Sequence, residues 1–137
     1  MSEANATIVR RCFEAYAAKD RALWQSLVAD DFRFTSPYDN RIDRAAFLSR
    51  CWPTGNSMAK VRFERLQAFG DTVFVTYIGQ HGSGAEFTNT EIFTVRDGLV
   101  HEIEVYFGWN LPHPAAPVLL GTGIRRSYAQ SRTVDVR

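Results

Sequence analysis

Four long stretches that alternate apolar and polar residues, joined by connections of only two or three residues, constrain this chain more than any other feature of it. They run from Lys60 to Phe69, Thr72 to His81, Ala85 to Arg96 and Leu99 to Phe107, with Gly70-Asp71, Gly82-Ser83-Gly84 and Asp97-Gly98 between them. Rich in Val, Phe, Thr and Tyr, these stretches read as strands. Connections this short cannot carry a parallel crossover, so the strands form successive antiparallel hairpins. The alternation slips near Glu64-Arg65, which predicts a bulge and therefore a bend in the sheet.

The first half of the chain supplies a cover for that sheet. Val9, Phe13, Tyr16 and Ala17 recur at spacings of three and four within 6–17, one stripe of an amphipathic helix. Asp20 caps a second short helix that buries Leu23, Trp24, Leu27 and Val28 and ends at Asp30-Asp31. Phe32 to Ser36 alternates like a half-buried strand and leads into the turn Pro37-Tyr38-Asp39-Asn40. Asp43 then caps a third helix, Arg44 to Trp52, with Phe47, Leu48 and Cys51 inward and Pro53 at its end. The expectation is an α+β domain over residues 1–110: a curved antiparallel sheet of about four long strands plus a short one, three N-terminal helices closing over it, and a pocket between. Residues 111–137 open with Pro112, Pro114 and Pro117 and then show no steady period, so they read as a tail or arm.

Composition narrows the function classes. The 137 residues are 45% apolar and 13% aromatic, enough for one core, and the net charge of +1 provides no field to draw the chain to nucleic acid or a membrane surface. The N-terminus lacks the basic and apolar regions of a secretory signal, and no apolar run approaches the roughly 18 residues of a membrane span, so a cytoplasmic location is the default. In that compartment Cys12 and Cys51 stay thiols. No phosphate-binding glycine loop precedes a helix, and His81, His101 and His113 show no metal-ligand spacing, so neither cofactor nor metal is expected.

What remains are polar residues in register with apolar ones. On Ala85 to Arg96 the odd positions Phe87, Asn89, Glu91, Phe93 and Val95 share a face, which turns Glu91 and Asn89 toward the core. A carboxyl group among aromatic rings stays protonated closer to neutral pH and can donate a hydrogen bond or a proton to a ligand oxygen; alternatively it is ion-paired and purely structural. The same parity places His101 inward with Ile103, Val105 and Phe107, either as a proton relay or as a structural hydrogen-bonder. Asp39 and Asp43 flank Arg41, where they position a water or serve as turn and cap residues. Tyr16 and Trp52 reach a cavity with their polar tips or act as plain core aromatics. Thr88, Thr90, Ile92 and Thr94 form a flat β-branched outer face suited to homodimer packing or to solvent.

This order of elements resembles the nuclear transport factor two-like superfamily in its SnoaL-like branch. The carrying segments are Cys12 to Asp20, Leu27 to Pro37, Ile42-Asp43-Arg44 with Phe47, Thr90 to Gly98 and Glu104 to Gly108. The resemblance implies a cone-shaped fold with an interior pocket, and relatives that are steroid isomerases, polyketide cyclases, dehydratases, epoxide hydrolases or inert binders. At the position resembling the isomerases' general-base aspartate this chain has Ser36, and Glu91 resembles their proton-donating acid. Their helix-one tyrosine falls at or near Cys12. The implied function is binding of a small, largely apolar, oxygen-bearing molecule, with cofactor-free isomerisation, cyclisation or dehydration as the chemistry, or else a non-catalytic binding or assembly domain. Glu91, Asp39 and His101 are then the candidate catalytic groups. Tyr16, Ser36, Trp52, Phe87, Asn89, Val105 and Phe107 are the candidate ligand contacts.

Overall fold

The computed structural model describes residues 2–52 and 58–116. Pro53, expected to end the third helix, and the tail from 117 onward lie outside them. Three helices, α1 (Ser2–Ala17), α2 (Arg21–Ser26) and α3 (Arg44–Arg50), pack on one face of a six-stranded sheet. The strands are β1 (Val28–Ser36), β2 (Asp39–Ile42), β3 (Met58–Phe69), β4 (Thr72–His81), β5 (Glu86–Arg96) and β6 (Leu99–Leu111), in the spatial order β2-β1-β6-β5-β4-β3.

Local chemistry accounts for most of these elements. Asp20 and Asp43 cap α2 and α3, accepting from the backbone N–H groups of Leu23 (3.1 Å) and Ala46 (2.9 Å). At the β5–β6 turn Asp97 and Gly98 both take positive φ, 53° and 75°, the conformation that a two-residue hairpin matched to strand twist requires. The predicted bulge is present: Phe63 faces Tyr77 and Arg65 faces Thr76, so Glu64 is the extra residue. On α1 the stripe of Val9, Cys12, Phe13 and Ala15 is buried, and the Phe13 ring packs on Tyr77 and Phe93 at centroid distances of 4.7 and 5.6 Å. Trp24 of α2 stacks on Phe47 of α3 at 4.7 Å, which ties the short helices together.

Three expectations need correction. The sheet is not wholly antiparallel, because β1 pairs with β6 in parallel, with Phe34 opposite Ile103. Chain neighbours cannot reveal a pairing between segments some 70 residues apart; it follows from β6 having a free edge once β5 is paired. The turn after Pro37 continues into β2, making six strands rather than five. Val28, assigned to the second helix, opens β1, because α2 ends at Ser26 and Leu27 is its C-cap.

Candidate functional site

The inner face of β4 and β5 alternates as the sequence predicts. Val73, Val75 and Tyr77 on β4 and Glu91, Phe93 and Val95 on β5 are buried against α1, and Phe87 and Asn89 continue that face at half burial. Pairing sets Val75 opposite Glu91 and Tyr77 opposite Asn89. Tyr77 and Glu91 are therefore diagonal neighbours on one face, within reach of each other. The Tyr77 hydroxyl donates to Glu91 Oε2 at 2.6 Å, and Asn89 Nδ2 donates to Tyr77 Oη at 3.4 Å.

These groups lie at one side of a cavity of about 270 Å³. The helices contribute Cys12, Phe13 and Tyr16 from α1, Trp24 from α2 and Phe47 from α3, with Cys51 beyond it. The sheet contributes Phe34, Met58, Tyr77 and His81, the β5 residues Phe87, Asn89, Glu91 and Phe93, and Ile103 and Val105 from β6. No lysine or arginine is among these residues, and Glu91 is the only carboxylate.

Burial with no cation beside it pushes the Glu91 carboxyl up from 4.5 to about 7, against the opposing effect of the Tyr77 hydrogen bond. Burial, reinforced by the neighbouring Glu91 charge, raises Tyr77 well above the usual phenol range. Burial also pushes the Cys12 thiol up to about 12, and burial together with Asp39 pushes Cys51 up to about 11. Both cysteines are thus protonated and poor nucleophiles near neutral pH. Tyr16 donates its hydroxyl proton to the Cys51 carbonyl at 3.0 Å.

Of the residues singled out from sequence, the cavity gathers Glu91, Asn89, Tyr16, Phe87 and Val105. His101 is elsewhere. Thr94 faces Glu102 while Val95 faces Val100, so His101 is the unpaired residue of a bulge, and the inward set becomes Val100, Ile103 and Val105. Its Nδ1 instead lies 2.9 Å from Asp31 Oδ1 at the surface. Phe107, opposite Asn89 at the last regular pair before a second irregularity of the same ladder, is about half exposed and stacks edge-on with Tyr38 at 5.6 Å.

Trp52 lies outside the lining and packs on Tyr16 and Trp24. Ser36 lines a separate surface groove beside Pro37 and Tyr106, and its hydroxyl donates to Asp39 Oδ2 at 2.8 Å. Asp39 is also off the cavity wall; its Oδ1 is 2.9 Å from Arg50 Nη2, an ion contact outside hydrogen-bond alignment. Arg41, between the two aspartates in sequence, turns away to Glu102 at 2.7 Å. Tyr77 lines the cavity beside Glu91 and is not among the residues singled out from sequence. Its signal was present, since it occupies an odd position between Val75 and Gly79 on the apolar face of its strand.

The SnoaL-like domain family matches residues 9–103. The chain belongs to this family. Its solved structural neighbours agree on the fold. A Kribbella flavida protein provisionally assigned as a ketosteroid isomerase superposes with a TM-score of 0.72 at 21% identity, covering 90% of this chain and 87% of that one. An LEH-like epoxide hydrolase from M. tuberculosis gives a TM-score of 0.67 at 21% identity, covering 78% and 84%. A de novo designed protein with a curved β-sheet reaches 0.66 at 14% identity, covering 79% and 88%. No curated protein is matched by the chain. At these identities the likeness of this SnoaL-like chain to solved structures is one of fold. Among the described residues no helix is long and apolar enough to cross a membrane.

Proposed function

We propose that this SnoaL-like protein binds a small, largely apolar, oxygen-bearing molecule in the cavity beneath α1. Glu91 makes the polar contact and serves as the proton donor or acceptor for cofactor-free isomerisation, cyclisation or dehydration. The observation that carries this reading is Glu91 itself: a carboxyl group only 9% exposed, facing a cavity walled by aromatic rings, with its pKa raised to about 7. Such a group is present in both protonation states near neutral pH, the condition for general acid–base work. The cavity volume of about 270 Å³ is near the lower end of small-molecule sites, roughly 300–1,000 Å³. Neighbours named for isomerase and epoxide hydrolase activities are consistent with cofactor-free chemistry in this fold.

A second reading, a non-catalytic binding or assembly domain, is favoured by one observation: Ser36 and Asp39 are occupied with each other and with Arg50, outside the cavity. In either reading the outer face of Thr88, Thr90, Ile92 and Thr94, with exposed Phe74 and Tyr106 beside it, is the candidate homodimer contact. The thiols of Cys12 and Cys51 fit a reducing, cytoplasmic setting.

Quenching of the buried Trp24, which lines the cavity, by 2-naphthol tests binding. Saturable quenching that weakens in Glu91→Gln is the expected result, and quenching that never saturates would sink the pocket reading. For chemistry, a panel of β,γ-unsaturated ketones is followed for conjugation by ultraviolet absorbance. Turnover that falls by about 10²- to 10⁴-fold in Glu91→Gln supports the acid–base role. Binding without turnover leaves the second reading.

A further inference from the structure

The wiring of the cavity begins in the backbone of β6. Between the pairs Phe87–Asn110 and Asn89–Phe107 the β5–β6 ladder slips, and there the N–H of Gly108 donates to the side-chain oxygen of Asn89 at 3.2 Å. Glycine is required at this point: a Cβ on residue 108 would sit 2.2 Å from the Thr88 carbonyl oxygen. A backbone N–H can meet only the oxygen of a carboxamide, so this bond decides which way the Asn89 amide is turned. Its NH₂ group then faces Tyr77 Oη. Having accepted from Asn89, the Tyr77 oxygen directs its own proton to Glu91 Oε2. Glu91 Oε1 has no hydrogen-bond partner among the described residues, on a side chain that lines the cavity.

We infer that Asn89 is a positioning residue: pinned by Gly108, it turns the Tyr77 hydroxyl onto Glu91 and leaves a ligand one carboxyl oxygen, Oε1 of Glu91, to meet in the cavity. This rests on the reading of Glu91 as the polar contact. It adds the kind of ligand end that fits, a single hydroxyl or a single carbonyl. A hydroxyl donates to the ionised carboxylate and a carbonyl accepts from the protonated acid, whereas a second oxygen beside either would find Tyr77 already engaged. The groups around Glu91 leave this assignment undisturbed. From α1 come Cys12, protonated, and Tyr16, which donates to Cys51, and from β4 come Tyr77 and, farther along, His81. Ile103 and Val105 of β6 carry no charge, and Arg11 beside Cys12 is exposed.

Titration of the Glu91 carboxyl carbon by NMR in ¹³C-glutamate-labelled protein, with Glu91→Gln to assign the signal, tests the inference. Tyr77→Phe is expected to raise the midpoint from about 7 by roughly one pH unit, because a hydrogen bond to the ionised form is lost. Asn89→Leu is expected to raise it by a few tenths through weaker polarisation of Tyr77, and to add nothing once residue 77 is phenylalanine. In the unmutated protein the Asn89 amide signals should shift with the Glu91 midpoint, a measurement that needs no variant to fold. An unmoved midpoint in Asn89→Leu, an additive effect in the double variant, or Asn89 signals indifferent to Glu91 would overturn the positioning role. All three measurements are made without ligand. Failure of 2-naphthol to bind would therefore remove the ligand reading while the positioning role is decided separately.

Discussion

Two carboxylates in this protein are both largely withdrawn from water, and their surroundings could hardly differ more. Glu91 is 9% exposed and has a phenol for company; the Asp39 side chain, also 9% exposed, has the Arg50 guanidinium at 2.9 Å and the Ser36 hydroxyl at 2.8 Å. A guanidinium compensates a buried negative charge, whereas a neutral donor only softens the penalty of burying it. The cavity wall therefore holds a group poised to exchange a proton near neutrality. The corner at β2 holds a structural ion contact. Burial alone does not make a reactive acid; burial without a cation does.

The largest way to break this contrast is to remove the Glu91 charge. Glu91 in the folded chain has a pKa of about 7 against 4.5 for the free group, so the native state binds the extra proton between those values. Its contribution to stability is fully present below about 4.5 and is lost as pH rises through 7, a change on the order of 3 kcal/mol. Urea unfolding of Glu91→Gln should lack this fall, and the variant should overtake the wild type between pH 5 and pH 8. Parallel curves for the two proteins would mean Glu91 is paired after all.

Next in size is Gly108→Ala, which drives a methyl group into the Thr88 carbonyl and should destabilise by about 2 to 3 kcal/mol in the same assay. A near-neutral result would show that β6 can move away from β5 and that the approach fixing Asn89 is not tight. At the corner, Arg50→Met strands the Asp39 carboxylate with Ser36 alone. Because Arg50 is itself more than half exposed, the loss should be only about 1 kcal/mol, with 2-naphthol affinity unchanged. A large loss of affinity there would pull Asp39 back into the site. Smallest of all, His101→Ala should cost less than about 1 kcal/mol, since its Asp31 partner is mostly exposed, and should leave cavity binding as it was.

Local periodicity was a good guide where one element could be read by itself. The inward parity of β5, the bulge at Glu64, the caps Asp20 and Asp43 and the helix-one stripe all follow from side-chain spacing and short-range hydrogen bonding. Parity failed at the start of β6 for a physical reason: the extra residue between Val100 and Glu102 puts the residues on its two sides out of step, and a bulge in one strand is defined by its partner. His101 was misplaced on that account, whereas Phe107 keeps the register of Val105 and is half exposed at the last regular pair of the ladder. Ser36 and Asp39 were misplaced because the β1–β2 corner is pulled toward Arg50 of α3, a contact across 11 residues that no spacing rule encodes.

From sequence alone came the α+β class, the hairpin order, the family resemblance and the inward turn of Glu91, because each depends on residues within one strand, one helix or one turn. Tertiary structure decided the rest: the parallel union of β1 with β6, the company each carboxylate keeps, and the chain of contacts from Gly108 through Asn89 and Tyr77 to Glu91. That chain joins three strands, and the charge state of its last member depends on how deeply the fold buries it and on the Tyr77 hydroxyl 2.6 Å away, quantities that exist only once the sheet has closed its ladders.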